Sequence, residues 1–308
     1  MCLGASIFSA SELQMDRLYA AFREAGGNCV DTAHCYWFWL PEGKGGADRA
    51  IGKCIRRHGD SGLVRILSKG GHPSQLPNYP RSDGYLSPEV ISSDIAESLN
   101  WLNGEPIDLY FLHRDDTRVP VGEILEALNH HILGGRLRAV GASNWSVARL
   151  READAYVTKR QIHGFVASQP QFNLGHSNAP VPTTDPAQRY LTDADMAWHR
   201  STGLPIICYS PTAGGYFATG GARAKVAYDN DVSRKRAEVA VRLARQLGVS
   251  EGQIALAYLR CQPFPVIPIL GTTNLDHLLE CLAAEQVLLK ADHVDLLRKG
   301  DLSSSMHL

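Results

Sequence analysis

The sequence has no stretch that approaches the roughly 20 apolar residues of a membrane-spanning helix. Its start, Met1-Cys2-Leu3-Gly4, shows no basic segment leading into a long apolar one, so no secretory signal is read there. It has no excess of either charge: 31 Lys and Arg stand against 32 Asp and Glu, for a net charge of −1. A nucleic-acid or anionic-membrane surface needs clustered Lys and Arg, so neither partner is expected. Cysteine is limited to seven scattered residues, an odd number with no Cys-x-x-Cys pair. That pattern speaks against a disulfide frame and for reduced thiols in a cytoplasmic protein. The 12 histidines include no His-x-His or His-Glu-x-x-His spacing, so no metal is expected.

Hydrophobic residues make up 44% of the chain and charged residues 20%, enough for a sizeable core. Short apolar runs alternate with helical patterns. Strands are predicted at 3–8, 28–30, 63–68, 107–112, 137–141, 165–168, 205–209 and 266–269. Helices are predicted at 9–25 with Ser11 as cap, from Gly45-Gly46 to 57, and at 87–101, where Ser87 caps and Pro88 occupies the first turn. Others follow at 121–133, 146–160, toward His199, and at 233–248, 250–260, 275–284 and 291–298. Loops are expected at 70–87, 173–186 and 210–230.

The strands lack period-two polarity, as expected when both faces are buried. Eight strand–helix units without a linker imply one domain, 1–308, folded as a (β/α)8 TIM barrel. A doubly wound open sheet is the alternative. It would want a Gly-x-Gly-x-x-Gly turn after its first strand, and none is there.

In such a barrel the C-terminal strand ends converge on one mouth. The second offers Asp31 and Tyr36, the third Lys69, the fourth His113. A lysine ammonium near a phenol favours the phenolate and lowers its pKa. A carboxylate beside that lysine holds it in place, and a histidine bonded to the same substrate oxygen orients the carbonyl. Together they make a donor that can protonate an oxyanion. None is a reductant, so the electrons must come from a cofactor.

The motifs carry a resemblance. Asp31-Thr32-Ala33-His34-Cys35-Tyr36, Leu67-Ser68-Lys69, Leu112-His113-Arg114 and Gly141-Ala142-Ser143-Asn144 stand in the order of the signatures of the aldo-keto reductase family. Gln169-Pro170-Gln171-Phe172-Asn173, Tyr209-Ser210-Pro211 and Ile267-Pro268-Ile269-Leu270-Gly271 continue the series. The chain thus resembles that family, in its bacterial type, over nearly its whole length. More loosely it resembles the potassium-channel β-subunits. The resemblance implies NADP(H), with NAD(H) also accommodated, and hydride transfer to an aldehyde or ketone. Tyr36 would be the acid, Asp31 and Lys69 would tune it, and His113 would orient the substrate.

Ser143, Asn144 and Gln169 would hold the nicotinamide carboxamide, and Tyr209 would stack on its ring. Ser210, Thr212 and the backbone at Gly214 would cover the pyrophosphate. Gly271, Thr272, Thr273, His277 and Cys281 would meet the adenosine end. Two departures concern that end: His277 stands where the family often has an Arg, and Cys281 where it often has an Asn. The family's N-terminal hairpin is also not seen, since the first strand starts almost at residue 1.

Trp37 and Trp39 follow the proposed acid, Trp145 follows Asn144, and Arg114 and Asp115 follow His113. At the mouth they would stack on a sugar ring or line an aromatic pocket, with polar partners for hydroxyls. Equally, the aromatics would pack the loop onto the barrel rim or a neighbouring subunit. Cys35 reads as an inert small residue or a redox switch. Taken singly, each site residue has an ordinary explanation as a cap, a surface charge or a core side chain. Two classes stay open: an active carbonyl reductase, favoured by the intact Asp31, Tyr36, Lys69 and His113, and a cofactor-binding redox-sensing module with little turnover. A metal-dependent barrel hydrolase is disfavoured by the missing ligand pairs.

Overall fold

Strands that are apolar on both faces are covered only if they close on themselves inside a jacket of helices. The computed structural model, which describes residues 1–6, 11–73, 78–81, 83–178 and 187–301, has that arrangement. Strands β1 (Cys2–Gly4), β2 (Cys29–Asp31), β3 (Arg65–Gly70) and β4 (Leu109–Leu112) are followed by β5 (Val140–Ser143), β6 (Phe165–Gln169), β7 (Ile206–Cys208) and β8 (Val266–Leu270). All pair in parallel with their sequence neighbours, and β8 pairs with β1 through Cys2↔Ile269 and Leu3↔Leu270, which closes the barrel.

The jacket begins with α1 (Glu12–Glu24), α2 (Gly46–Arg57), α3 (Pro88–Trp101), α4 (Val121–Leu133), α5 (Val147–Arg160) and α6 (Asp193–Thr202), one after each of the first six strands. After β7 come a single turn, α7 (Lys225–Tyr228), then α8 (Asp231–Leu247) and α9 (Glu251–Arg260). Helices α10 (Leu275–Ala283) and α11 (Ala291–Lys299) follow β8. Starts and stops follow local chemistry. Ser11 and Ser87 accept hydrogen bonds from the amides of Gln14 and Val90, and Pro88 needs no partner for a missing N–H. Thr192 with Asp195 and Ser250 with Gln253 form reciprocal capping boxes. Among the described residues no helix is long and apolar enough to cross a membrane.

Leu67 and Lys69 are two apart on β3 and so share a face. Leu67 joins Cys2, Phe111, Ala167, Ile207 and Ile269 in the buried cluster within the barrel. Lys69 stands one layer nearer the mouth. Gly141 is required by that packing: a Cβ there would sit 2.4 Å from the Phe111 ring.

Several boundaries differ from expectation. The strand expected at 63–68 is shifted downstream, because Leu63 turns outward in a turn closed by its amide on the Asp60 carbonyl. Ser68, Lys69 and Gly70 then pair with Tyr110, Phe111 and Leu112. Ile107 and Leu137 meet only in an isolated bridge, so β4 and β5 start later than 107 and 137. The one-turn α7 was not expected in 210–230. Residues 7 and 8 of the first expected strand, 9 and 10 of the first helix, 74–77 and 82 of the first loop, and 179–186 of the Pro-rich connection lie outside the described residues.

Candidate active site

The pairing register decides which side chains meet. Asp31 is the last residue of β2, and Lys69 is the next-to-last of β3. His113 follows β4 and Asn144 follows β5; Gln169 ends β6, Tyr209 follows β7 and Gly271 follows β8. The site is therefore one rim, assembled from strand ends far apart in sequence.

At its centre is Lys69, 1% exposed. Its Nζ donates to Asp31 Oδ1 at 2.6 Å, to the Thr32 carbonyl at 2.7 Å and to the Tyr36 hydroxyl at 3.0 Å. Three donors and three acceptors leave the ammonium one orientation. Gln169 Nε2 donates to the other Asp31 oxygen at 2.9 Å. Thr32 is fixed in turn by its hydroxyl on buried Asp48, at 2.7 Å. The His113 ring stands edge-on to Tyr36, with centroids 5.7 Å apart.

The electrostatics correct one expectation. The Tyr36 phenol is pushed up to about 12, because burial outweighs the nearby Lys69 and Asp31 opposes it. Lys69 draws the phenol down, but not below its ordinary value, so the resting group is a phenol rather than a phenolate. Burial also raises the Asp31 carboxyl, against the pull of Lys69 and Gln169. His113 is held well below the ordinary histidine range by burial, with Arg114, His72 and Lys69 adding to the effect. It is neutral at physiological pH.

A cavity of about 370 Å³ opens over this group. Its walls include the expected Ser143, Asn144, Gln169, Tyr209 and Ser210. A second cavity, about 590 Å³, adjoins it and is lined by Thr272, Thr273, His277 and Cys281. Thr212, Gly214 and Gly271 line both, so the two form one trough from Tyr36 to the start of α10. Asn144 is already engaged: its amide donates to the His113 carbonyl and Ser143 Oγ, and accepts from the Tyr209 hydroxyl at 2.8 Å and the Arg189 amide at 3.0 Å.

The expected substrate residues divide. Trp39 and Arg114 line the cavity. Trp37 does not: its backbone has φ 73°, and its indole turns down to donate to the Ala5 carbonyl at 3.1 Å. Trp145 also lies elsewhere, buried edge-on against Phe165 with Arg149 over its face. Asp115 is spent on Arg149 at 3.2 Å, outside the cavity wall. These three expectations are corrected by packing: the two indoles bury apolar area, and the carboxylate meets a guanidinium. Sequence reading missed Ser6, His72 and Gln188 at the mouth, and Arg223, Gln253 and Glu280 in the second cavity. His72 had a signal, since it lies three residues beyond Lys69 on the same strand end.

A parallel barrel whose mouth holds a buried carboxylate–ammonium–phenol chain, beside two adjoining cavities, is an arrangement suited to a carbonyl-handling oxidoreductase. The comparisons agree. The model of the Aldo/keto reductase family matches residues 1–301. An oxidoreductase of Bacillus subtilis (strain 168), YrpG, is 27% identical over 96% of this chain and 90% of its own. A probable voltage-gated potassium channel subunit beta of Oryza sativa subsp. japonica is also 27% identical, over 88% of this chain and 81% of its own. An aldo/keto reductase from Klebsiella pneumoniae, solved in complex with NADP and acetate, superposes with a TM-score of 0.67 at 20% identity, covering 96% of this chain and 88% of that one. The chain belongs to the aldo/keto reductase family and is in class an NAD(P)-dependent oxidoreductase.

Proposed function

We propose that the protein reduces a small polyhydroxylated carbonyl compound with NADP(H), Tyr36 donating the proton. The observation that carries the reading is the Lys69 ammonium bonded at once to Asp31, the Thr32 carbonyl and the Tyr36 hydroxyl. When the phenol gives up its proton, the charge it acquires appears beside a cation that is already in place, so little has to reorganise. Neutral His113 serves as a hydrogen-bond donor to the carbonyl oxygen. That role requires the ring proton on Nε2, which leaves Nδ1 to face the Cys35 thiol, 3.5 Å away.

The trough fits the cofactor. Gly214 and Gly215 adopt left-handed φ of 63° and 84°, which lets backbone amides approach a phosphate closely. Arg223 supplies a guanidinium in the second cavity, which His277 and Glu280 also line. When bound, the nicotinamide supplies the hydride. The Klebsiella pneumoniae relative, in complex with NADP, supports the choice of dinucleotide. Replacing Arg223 by Ala should weaken binding about 10- to 100-fold, the worth of a charged hydrogen bond. A loss confined to NADPH would place Arg223 on the 2′-phosphate, and an equal loss for NADH on the pyrophosphate. If neither changes, Arg223 is no cofactor ligand.

Substrate class follows from the lining. Of the aromatics, Trp39 alone remains at the mouth with Tyr36 and Tyr209, among Ser6, His72, Arg114 and Gln188. A site built to bond hydroxyls rejects analogues lacking them, which an apolar pocket does not. An aldose should therefore show a higher kcat/KM than an aromatic aldehyde of similar size. The reverse order, with no saturation by sugars, would sink the sugar reading. Measurable turnover also separates this reading from a cofactor-binding, redox-sensing module with little turnover.

The pH profile has a definite sign. Reduction needs the phenol protonated, and Tyr36 stays so up to about 12. His113 stays neutral through the ordinary histidine range. Reduction should thus be flat across neutral pH, with no inflection from His113. Alcohol oxidation needs the deprotonated phenol and should rise steadily in alkali. A bell centred on the ordinary histidine pKa would contradict the roles of both groups.

A further inference from the structure

Cys35, His72 and His113 belong to three different strand ends, yet their ligand atoms all lie within 4.8 Å of one another, and all three residues are buried. The geometry points to a binding site for a soft divalent cation, Zn²⁺ in the first instance, held by Cys35 Sγ, His72 and His113 Nδ1 at the mouth of the barrel.

One edge of the coordination polyhedron already has its length. Zinc–sulfur bonds of about 2.3 Å and zinc–nitrogen bonds of about 2.0–2.1 Å, at a tetrahedral angle, put sulfur and nitrogen about 3.6 Å apart. Cys35 Sγ and His113 Nδ1 are 3.5 Å apart. The donor set suits zinc and not the oxygen-seeking Mg²⁺ or Ca²⁺. Three protein ligands facing a cavity match the make-up of an open zinc site, whose fourth position takes water.

His72 Nδ1 lies 2.8 Å from the Pro73 carbonyl, so that nitrogen carries the proton and the lone pair is on Nε2. Such a carbonyl bond is the support that orients metal-bound histidines. The rings of His72 and His113 stand edge-on, with centroids 4.8 Å apart. The His72 edges, up to 4.8 Å, must shorten by about 1 Å to meet zinc geometry, and His72 lies beyond the end of β3, outside its ladder.

The charges cut both ways. Arg114 and Lys69 favour the thiolate of Cys35, whose thiol burial otherwise pushes up to about 12. The same cations oppose a dication, so the site should bind less tightly than a closed structural zinc site. Binding forms one metal–sulfur and two metal–nitrogen bonds and releases the Cys35 thiol proton to solvent; no electrons move. Cys35, His72 and His113 line the same cavity as Tyr36, so, resting on the reduction proposed above, a metal with its water there would also obstruct the carbonyl substrate, and a chelator would restore turnover.

The test uses the full chain, stripped with a chelator and titrated with Co²⁺, then competed with Zn²⁺. The expected result is a thiolate-to-cobalt charge-transfer band with the strong visible bands of tetrahedral cobalt, at one equivalent, displaced by Zn²⁺. Outer-shell partners alone are worth about 10–100-fold in affinity, so losing a ligand should weaken binding by at least about tenfold. Cys35→Ala should abolish the charge-transfer band, and His72→Gln should weaken it, with circular dichroism confirming the fold of each. If Cys35→Ala does not fold, His72→Gln alone decides, because His72 lies outside the Lys69 hydrogen-bond group. No band in the wild-type chain, or a band unchanged in either folded variant, overturns the proposal. Occupancy without inhibition would leave the metal site standing and overturn the obstruction of the substrate.

Discussion

Tyr36→Phe should lower carbonyl turnover by about 10²–10⁴-fold, the usual worth of a positioned general acid. NADPH affinity should stay nearly unchanged. The phenol is the one acidic hydroxyl bonded to Lys69, at 3.0 Å. Neither neighbour can replace it. Lys69 holds its protons more tightly than an ordinary lysine, because Asp31 and Tyr36 stabilise the ammonium against the cost of burial. His113 is neutral, and its remaining proton is a poor acid. The substitution itself is structurally mild. Lys69 keeps Asp31 and the Thr32 carbonyl, and the ring keeps its edge contacts with Trp39 and His113. Loss of one hydrogen bond costs about 1 kcal/mol, so the variant should fold. Full turnover in the purified variant would remove Tyr36 from the mechanism.

The site was legible in sequence where backbone topology alone fixes it. Asp31, Lys69 and His113 each close a short apolar run, and a parallel barrel delivers every such end to one rim. The capping residues Ser11 and Ser87 were legible for the same reason, since their chemistry is local. What depends on side-chain direction was not. Trp37 and Trp39 are two residues apart, but a positive φ at Trp37 sends its indole under the loop while Trp39 faces the cavity. Spacing rules for metal ligands test one segment at a time, so they pass over Cys35, His72 and His113, which only the closed barrel brings together. The sign of the Tyr36 shift was missed because charges can be counted in a sequence, whereas desolvation requires the packed environment.

Lys69→Met should combine the second large loss of activity with a loss of stability. Lys69 and Asp31 are both buried, with the ammonium and carboxylate 2.6 Å apart. Removing one partner of a buried pair costs about 3–5 kcal/mol, because the other charge is left uncompensated. Here Gln169 Nε2 would remain on Asp31. Part of the cost is avoided by proton uptake, since burial already raises the Asp31 carboxyl and Lys69 is what pulls it down. In the variant the folded pKa of Asp31 therefore lies above its unfolded value. Between those two values the folded state holds a proton that the unfolded state has released, so stability falls as pH rises. The deficit relative to wild type should be small in acid and grow toward neutral pH. Turnover should fall by about 10²–10³-fold, the range for losing one preorganised donor to a developing oxyanion. The double variant Asp31→Asn/Lys69→Met separates the two effects. With no charge left to strand, it should regain much of the stability and lose the pH-dependent deficit, while turnover stays low. Denaturant midpoints across pH, measured beside kcat for wild type, the single and the double variant, decide the matter. A Lys69→Met deficit independent of pH would show that Asp31 is not the stranded group. Recovery of turnover in the double variant would show that the ammonium serves only to neutralise the carboxylate and takes no part in proton donation by Tyr36.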